Sequence, residues 1–232
     1  MPQHIGIVGC SAEGAALCYR TICREGAERL GPHAHPEITM HTFPLNRYML
    51  GIEQGNWQHV GQLLATSANR LAAVGAQFAI CPDNTVHQAF DDAIAASSIP
   101  WLHIAAVVAE EAMRRGFSRI GILGTRYLME GPVYRKALAR AGIVMVIPET
   151  PERRRINSCI FDELVYGSFT ESTRRYFVQA IQNLQQDGCQ AVVLGCTEIP
   201  LLVRPEDSPL PTLDSTRLLA RAALDRALES EQ

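Results

Sequence analysis

The chain has 232 residues, 47% of them hydrophobic and 19% charged, which is typical of a globular protein with one large domain or two small ones. Its formal net charge of −3 provides no positive field for nucleic acid or an anionic membrane surface, so we expect neither partner. The seven cysteines lack C-x-x-C spacing and the first residues lack a secretory pattern, so we expect a cytoplasmic location.

In chain order, the predicted elements alternate short apolar strands with segments of helical spacing. "IGIVG" (5–9) is the first strand, and a second run, "FAICP" (78–82), ends at Asp83 before a helical segment. "WLHIAAV" (101–107) is predicted as a buried strand, followed by "IGILG" (120–124) and "AVVLG" (191–195). This alternation predicts an α/β fold with mainly parallel sheets and helices on both faces.

Two signatures occur twice and indicate an internal repeat. "IGIVGCS" matches "IGILGTR" at a separation of 115 residues (5 to 120), and "GAQFAICPDNT" matches "GCQAVVLGCTE" at 113 (75 to 188). We therefore expect two pseudo-symmetric Rossmann-like halves. We place the first at residues 1–98 plus 212–232 and the second at 99–211.

The repeat makes Asp83 equivalent to Cys196, each at the carboxyl end of a strand. Ligands of open α/β folds bind at this edge of the sheet. If the halves face each other, the active site lies between them, and two proton-transferring groups on opposite sides of a substrate suit inversion at a carbon.

Several segments together resemble the cofactor-independent aspartate/glutamate racemase superfamily. They are "IGIVGCS", "DNTVH", "GILGTRYLMEGPVYRKAL", "INSCIFDELVYGSFT" and, above all, "LGCTEIPLLV" followed by "LPTLDS". The overall pattern is most similar to the bacterial branch that acts on acidic or a broad range of amino acids. The resemblance implies a racemase without pyridoxal phosphate or any other cofactor, a small-molecule substrate and a homodimer.

In that family two cysteines transfer the protons, and the resemblance assigns the second to Cys196. The first precedes Asn-Thr, where this chain has Asp83, with Cys81 two residues earlier. We assign the role to Asp83. Cys81 and the absence of a second base remain alternatives.

Polar residues around the two strand ends are candidates for substrate binding. The helix-start residues could bind the substrate carboxylate and ammonium. Plain helix capping is the simpler explanation of each residue alone, and only their convergence on one sheet edge favours substrate binding. His87 lies four residues after Asp83 and could reach back toward that carboxylate or the substrate. An arginine would suit a side-chain carboxylate of the substrate. The candidates are Ser11, Arg47, Asn84, Thr85, His87, Thr125, Arg126, Thr197 and Glu198, with His103 as a weaker one.

The sequence lacks the signatures of several other chemistries. The first turn is not G-x-G-x-x-G, and Lys136, the one lysine, stands in no convincing Schiff-base context. His33 and His35 alone make a weak metal site, so we expect no metal. Two alternatives to a racemase remain. One is a single-cysteine decarboxylase or isomerase of a small dicarboxylic acid, and the other is a non-catalytic ligand-binding module.

Overall fold

The computed structural model describes residues 1–229, which form two compact units. Unit 1 comprises Met1–Val107 and the C-terminal residues from Thr216 onward, and unit 2 comprises Val108–Ser215. The first eight elements in chain order are β1 (Ile5–Gly9), α1 (Ala12–Leu30), β2 (Ile38–Thr42), α2 (Leu45–Glu53), α3 (Trp57–Ala73), β3 (Phe78–Ile80), a 3₁₀ helix (Thr85–Ala89) and α4 (Phe90–Ala95).

The remaining elements begin with a helix at the junction of the two units. They are α5 (Ile104–Arg114), β4 (Arg119–Leu123), α6 (Arg126–Glu130), α7 (Pro132–Arg140), β5 (Val144–Val146), α8 (Thr150–Asp162), a 3₁₀ helix (Leu164–Tyr166), α9 (Glu171–Gln186), β6 (Ala191–Leu194), α10 (Ile199–Leu202), a 3₁₀ helix (Pro205–Asp207), β7 (Thr212–Asp214) and α11 (Ser215–Glu229). Within residues 1–229, no helix combines the length and the apolar character needed to cross a membrane.

The sheet of unit 1 is parallel, with strand order β2-β1-β3. Every residue of β1 and of β3 is buried, as their continuous apolar sequences predict. The C-terminal helix α11 completes this core, because Leu219 and Leu224 pack in the same cluster as Ile5 and Phe78. The backbone N–H of Gln3 also donates to the carbonyl of Ala227.

The sheet of unit 2 is also parallel, with strand order β5-β4-β6-β7. All of β6 is buried, and α9 buries Phe177, Ile181 and Leu184 along one face. Gly121 in β4 leaves room for Leu184, since a Cβ there would lie 2.6 Å from its Cδ1.

The structure confirms the predicted α/β class with two parallel sheets flanked by helices. The repeated segments take matching places, because β1 lies between β2 and β3 just as β4 lies between β5 and β6. Asp83 follows β3 and Cys196 follows β6, so each residue comes after the strand next to the first strand of its own unit.

One predicted strand is wrong. In "WLHIAAV" the sheet contact is a single parallel bridge of Trp101 to Ala79, in which the backbone N–H of Leu102 donates to the carbonyl of Ala79. The helix α5 then begins at Ile104. The Nδ1 atom of His103 accepts the backbone N–H of Ala105, which satisfies one of the free donors at the start of this helix.

The boundaries between the two compact units lie between Val107 and Val108 and between Ser215 and Thr216. The predicted boundaries fall after residues 98 and 211. Two contacts account for the difference. Trp101 joins the sheet of unit 1, and β7 pairs with β6 in the sheet of unit 2.

Candidate active site

Asp83 lies at the carboxyl end of the unit 1 sheet and is held by the backbone of a neighbouring loop. Its carboxylate accepts the backbone N–H of Cys10 at 3.1 Å and that of Ser11 at 3.2 Å. Both donors follow β1, and β1 and β3 are paired in parallel, so the two strands end at the same edge. Parallel pairing therefore brings together residues that are more than 70 positions apart in sequence.

Two buried thiols lie close to this carboxylate. The Sγ atoms of Cys10 and Cys81 are 3.8 Å apart, and both side chains are almost fully buried. Burial, the neighbouring Cys81 and the charge of Asp83 raise the pKa of the Cys10 thiol well above its usual range. Cys10 is therefore a neutral thiol at physiological pH, which excludes it as a thiolate base in this state.

His87 is hydrogen-bonded to the backbone just before Asp83. Its Nε2–H donates to the carbonyl of Cys81 at 2.9 Å, and its ring stacks on Phe90 with centroids 4.9 Å apart. Burial and the neighbouring His103 lower the pKa of His87 to about 3. A neutral imidazole therefore braces the turn that carries Asp83. A role of His87 towards Asp83 or the substrate stays a prediction.

In unit 2, Cys196 follows β6 and is hydrogen-bonded to a buried carboxylate. The thiol of Cys196 donates to Oε2 of Glu198 at 2.9 Å, and the hydroxyl of Thr197 donates to the same oxygen at 2.8 Å. Glu198 and Thr197 are buried, whereas Cys196 is partly exposed. A partly exposed thiol therefore donates a hydrogen bond to a buried carboxylate.

The glycine before Cys196, Gly195, allows the ends of β4 and β6 to lie close together. The N–H of Gly195 donates to the carbonyl of Leu123 at 2.8 Å, extending the pairing of β4 and β6. A Cβ on Gly195 would lie 2.5 Å from Leu128 and 3.0 Å from the carbonyl oxygen of Leu123. A larger residue before Cys196 would thus force the strand ends apart.

A comparison with protein families decides which one contains this architecture. The model of the family described as Asp/Glu/Hydantoin racemase matches residues 5–223. The chain belongs to this family. As a member of this family, the chain is a racemase, and racemases are isomerases.

Individual relatives agree with this family. A crystal structure from Yersinia pestis, provisionally named as an Asp/Glu racemase, is 35% identical with a TM-score of 0.89, covering 97% of this chain and 99% of that one. The aspartate racemase homologue PH1733 from Pyrococcus horikoshii is 28% identical with a TM-score of 0.84, covering 98% and 99%. The broad specificity amino-acid racemase RacX from Bacillus subtilis is 24% identical over 165 residues, which is 69% of each chain.

The predicted helix-start residues all lie at or next to the start of a helix, and two of them are N-caps whose side chains accept a hydrogen bond. Ser11 and Thr125 are N-caps of α1 and α6, and their hydroxyls accept the N–H of Gly14 and Leu128, respectively. Asn84 and Thr85, like Thr197 and Glu198, stand just before or at the start of short helices. Capping is therefore observed for Ser11 and Thr125.

The two predicted arginines are exposed and lie on aromatic rings. Arg47 belongs to α2, where its guanidinium lies 4.4 Å from the ring centre of Phe43. The guanidinium of Arg126 lies 5.3 Å from the ring centre of Tyr127. Both packings are cation–π contacts, which occupy one face of each guanidinium and leave its edge N–H groups outside that contact.

Cys10 and Tyr48 are neighbours of Asp83 that the sequence does not predict. Cys10 stands in the "IGIVGCS" signature, so its position at a strand end could have indicated it. Burial raises the pKa of Tyr48, and the nearby Cys10, Cys81 and Asp83 raise it further. No local pattern in α2 points to that contact.

Proposed function

We propose that the chain is a cofactor-independent amino-acid racemase in which Asp83 and Cys196 transfer the protons. The proposal rests chiefly on the equivalent placement of these two groups, each following the strand next to the first strand of its unit. Racemisation requires removal of a proton from one face of the α-carbon and delivery to the other. One proton-transferring group on each face meets this requirement.

The surroundings of each group support a role in proton transfer. Cys196 is partly exposed and shares a hydrogen bond with Glu198, which orients its proton. Asp83 is also partly exposed, and two backbone N–H groups fix its carboxylate. Cys81 is 1% exposed, so it has less access to a substrate than Asp83.

We propose a small acidic amino acid as the substrate. Two of the relatives are named for aspartate or for aspartate and glutamate, which supports this choice. The relative from Bacillus subtilis is named for broad specificity, so the assay should include neutral amino acids as well.

Proton NMR in deuterated water tests the proposal directly. The purified protein is incubated with each enantiomer of aspartate, glutamate and several neutral amino acids, while the α-proton signal and the enantiomer ratio are followed together. We expect loss of the α-proton together with inversion. The reaction must approach equal amounts of both enantiomers, because their free energies are equal.

Four variants separate the roles. Asp83→Asn and Cys196→Ser should each lower kcat by about 10²- to 10⁴-fold, the usual contribution of a positioned acid or base. Asp83→Cys supplies the thiol expected from the family resemblance and should retain activity. Cys23→Ser, which removes a partly exposed thiol on α1, should leave kcat unchanged.

Other outcomes point to the alternatives. Exchange without inversion would contradict the two-base mechanism and indicate one working face. Absence of exchange with every amino acid, combined with decarboxylation of a malonate-type acid, would replace the racemase by a decarboxylase. Binding of amino acids without any turnover would indicate a binding module.

A further inference from the structure

Asp83 and two nearby cysteines form a cluster of side chains that can all act as metal ligands. One ligand atom each from Cys10, Cys81 and Asp83 lies within 4.8 Å of the other two. All three residues belong to unit 1 and lie at the carboxyl ends of β1 and β3. Two sulfurs and a carboxylate oxygen at such separations match a metal-binding geometry.

The distance between the two sulfurs fits one geometry in particular. Two thiolates that are each about 2.3 Å from a tetrahedral Zn²⁺ lie about 3.8 Å apart. The observed separation of the Cys10 and Cys81 sulfurs is 3.8 Å. The pair could therefore bind such an ion with little change in the positions of the sulfurs.

The chemistry of the donors selects the class of ion. Thiolates favour thiophilic ions such as Zn²⁺ and Cd²⁺, whereas Mg²⁺ and Ca²⁺ require mainly oxygen ligands. One divalent ion also offsets two of the three negative charges that two thiolates and a carboxylate would carry together.

Tyr48 provides a second and independent observation. Its side chain is fully buried, and its hydroxyl lies beside Cys10 without a hydrogen bond of regular geometry within residues 1–229. Cys10, Cys81 and Asp83 all lie close enough to act on this hydroxyl, so it lies next to the cluster. A thiolate sulfur bound to a metal ion would accept a hydrogen bond from this hydroxyl.

We propose that Cys10, Cys81 and Asp83 bind one thiophilic divalent metal ion, with Zn²⁺ as the reference case. Each thiol releases its proton to solvent as its metal–sulfur bond forms, and Asp83 provides an oxygen ligand. The partly exposed side of Asp83 gives the ion access to the buried sulfurs. Sequence spacing does not predict this site, because Cys10 and Cys81 are 71 residues apart.

Metal binding would inhibit the enzyme. A carboxylate that coordinates a metal ion has less capacity to accept a proton from a substrate. This consequence rests on the proposed role of Asp83, whereas the metal site itself does not.

Spectroscopy of the full chain with Co²⁺ and Zn²⁺ tests the site without an activity assay. The protein is stripped with a chelator, kept reduced with a phosphine, and used as the Cys196→Ser variant to remove the thiol of unit 2. We expect one equivalent of Co²⁺ to give thiolate-to-metal charge-transfer absorption and the visible bands of a tetrahedral ion. Zn²⁺ should displace it with the same stoichiometry.

Variants of the ligands complete the test. Cys10→Ala and Cys81→Ala should each remove the charge-transfer absorption characteristic of a two-thiolate site, and Asp83→Asn should weaken Zn²⁺ binding roughly tenfold or more. Cys23→Ser serves as the matched thiol control and should bind as before. If the buried alanine variants fail to fold, X-ray absorption of the Zn²⁺-loaded Cys196→Ser protein should still find two sulfur ligands at about 2.3 Å.

Three results would overturn the metal site. They are the absence of thiolate bands with Co²⁺, bands that survive in both alanine variants, and a Zn²⁺ environment without sulfur. Activity assays compare wild-type protein with two variants. Inhibition by Zn²⁺ that persists in Asp83→Cys and is relieved in Cys10→Ala would agree with the site. A protein that binds Zn²⁺ at these ligands yet racemises nothing would refute the proposed function alone.

Discussion

His87 is a histidine in an environment that suppresses its protonation. It is 3% exposed, its Nε2–H is committed to the Cys81 carbonyl, and the ring of His103 lies 4.7 Å away. Burial is the largest cause of the drop in its pKa to about 3. The folded protein therefore keeps this ring neutral at pH values where an unfolded chain protonates it.

This difference predicts a loss of stability in acid. Between about pH 6.5 and pH 3 the unfolded state binds a proton that the folded state does not, so the free energy of unfolding falls as the pH falls. From pH 7 to pH 5 this one residue should account for about 2 kcal/mol of the loss. His87→Gln keeps a donor for the Cys81 carbonyl and should remove that part of the pH dependence.

Urea denaturation of both proteins at pH 7 and pH 5 provides the measurement. His33→Gln, at an exposed position, controls for the removal of one histidine. Equal pH dependence in wild type and His87→Gln would show that the folded state protonates this ring as readily as the unfolded chain does.

At the scale of elements, α1 depends on a residue that also borders the site. The Ser11 hydroxyl accepts the N–H of Gly14, while the backbone N–H of Ser11 donates to Asp83. Ser11→Ala should therefore lower the free energy of unfolding by about 1 kcal/mol, the usual cost of a lost N-cap, without removing the donor to Asp83. Ser11→Asn should restore the cap, and it adds no charge beside that carboxylate.

Stability and steady-state kinetics of the two variants distinguish capping from substrate binding. If Ser11 acts only as a cap, the asparagine variant has wild-type stability and an unchanged KM. A rise in KM in both variants, despite restored stability in the asparagine variant, would instead assign the hydroxyl to the substrate.

The elements also show where the sequence was informative. Continuous apolar runs followed by polar residues predicted β1, β3, β4 and β6, and parallel pairing then placed Asp83 and Cys196 at the carboxyl ends of their sheets. "WLHIAAV" was misread because a short apolar run has the same composition in a buried strand and a buried helix. Contacts such as Cys10 with Cys81 arise only from strand pairing, which no local pattern encodes.

At the scale of the whole molecule, α11 joins the core of unit 1 from the far end of the chain. Leu224 is 1% exposed and packs in the cluster that contains Ile5 and Ile7. Ion pairs of Arg221 with Glu25 and of Asp225 with Arg29 attach the same helix to α1. Both pairs are largely exposed, so most of the attachment energy comes from apolar burial.

Leu224→Ala should therefore destabilise unit 1 by about 2–5 kcal/mol. Leu50→Ala removes a half-exposed leucine from α2 and should change stability by no more than about 0.5 kcal/mol. Hydrogen exchange locates the effect, since we expect the amides of β1 and β3 to lose protection most. A greater loss in β4 and β6 would contradict the placement of α11 in unit 1.

The interrupted course of unit 1 sets an order for folding on the ribosome. Unit 2 is one continuous segment, so all of its strands have been synthesised once residue 215 has left the exit tunnel. Synthesis of unit 1 begins earlier, but its hydrophobic core is incomplete until α11 emerges. The half that is translated first therefore completes its folding last, and until then β1 and β3 expose apolar surface that α11 will later cover.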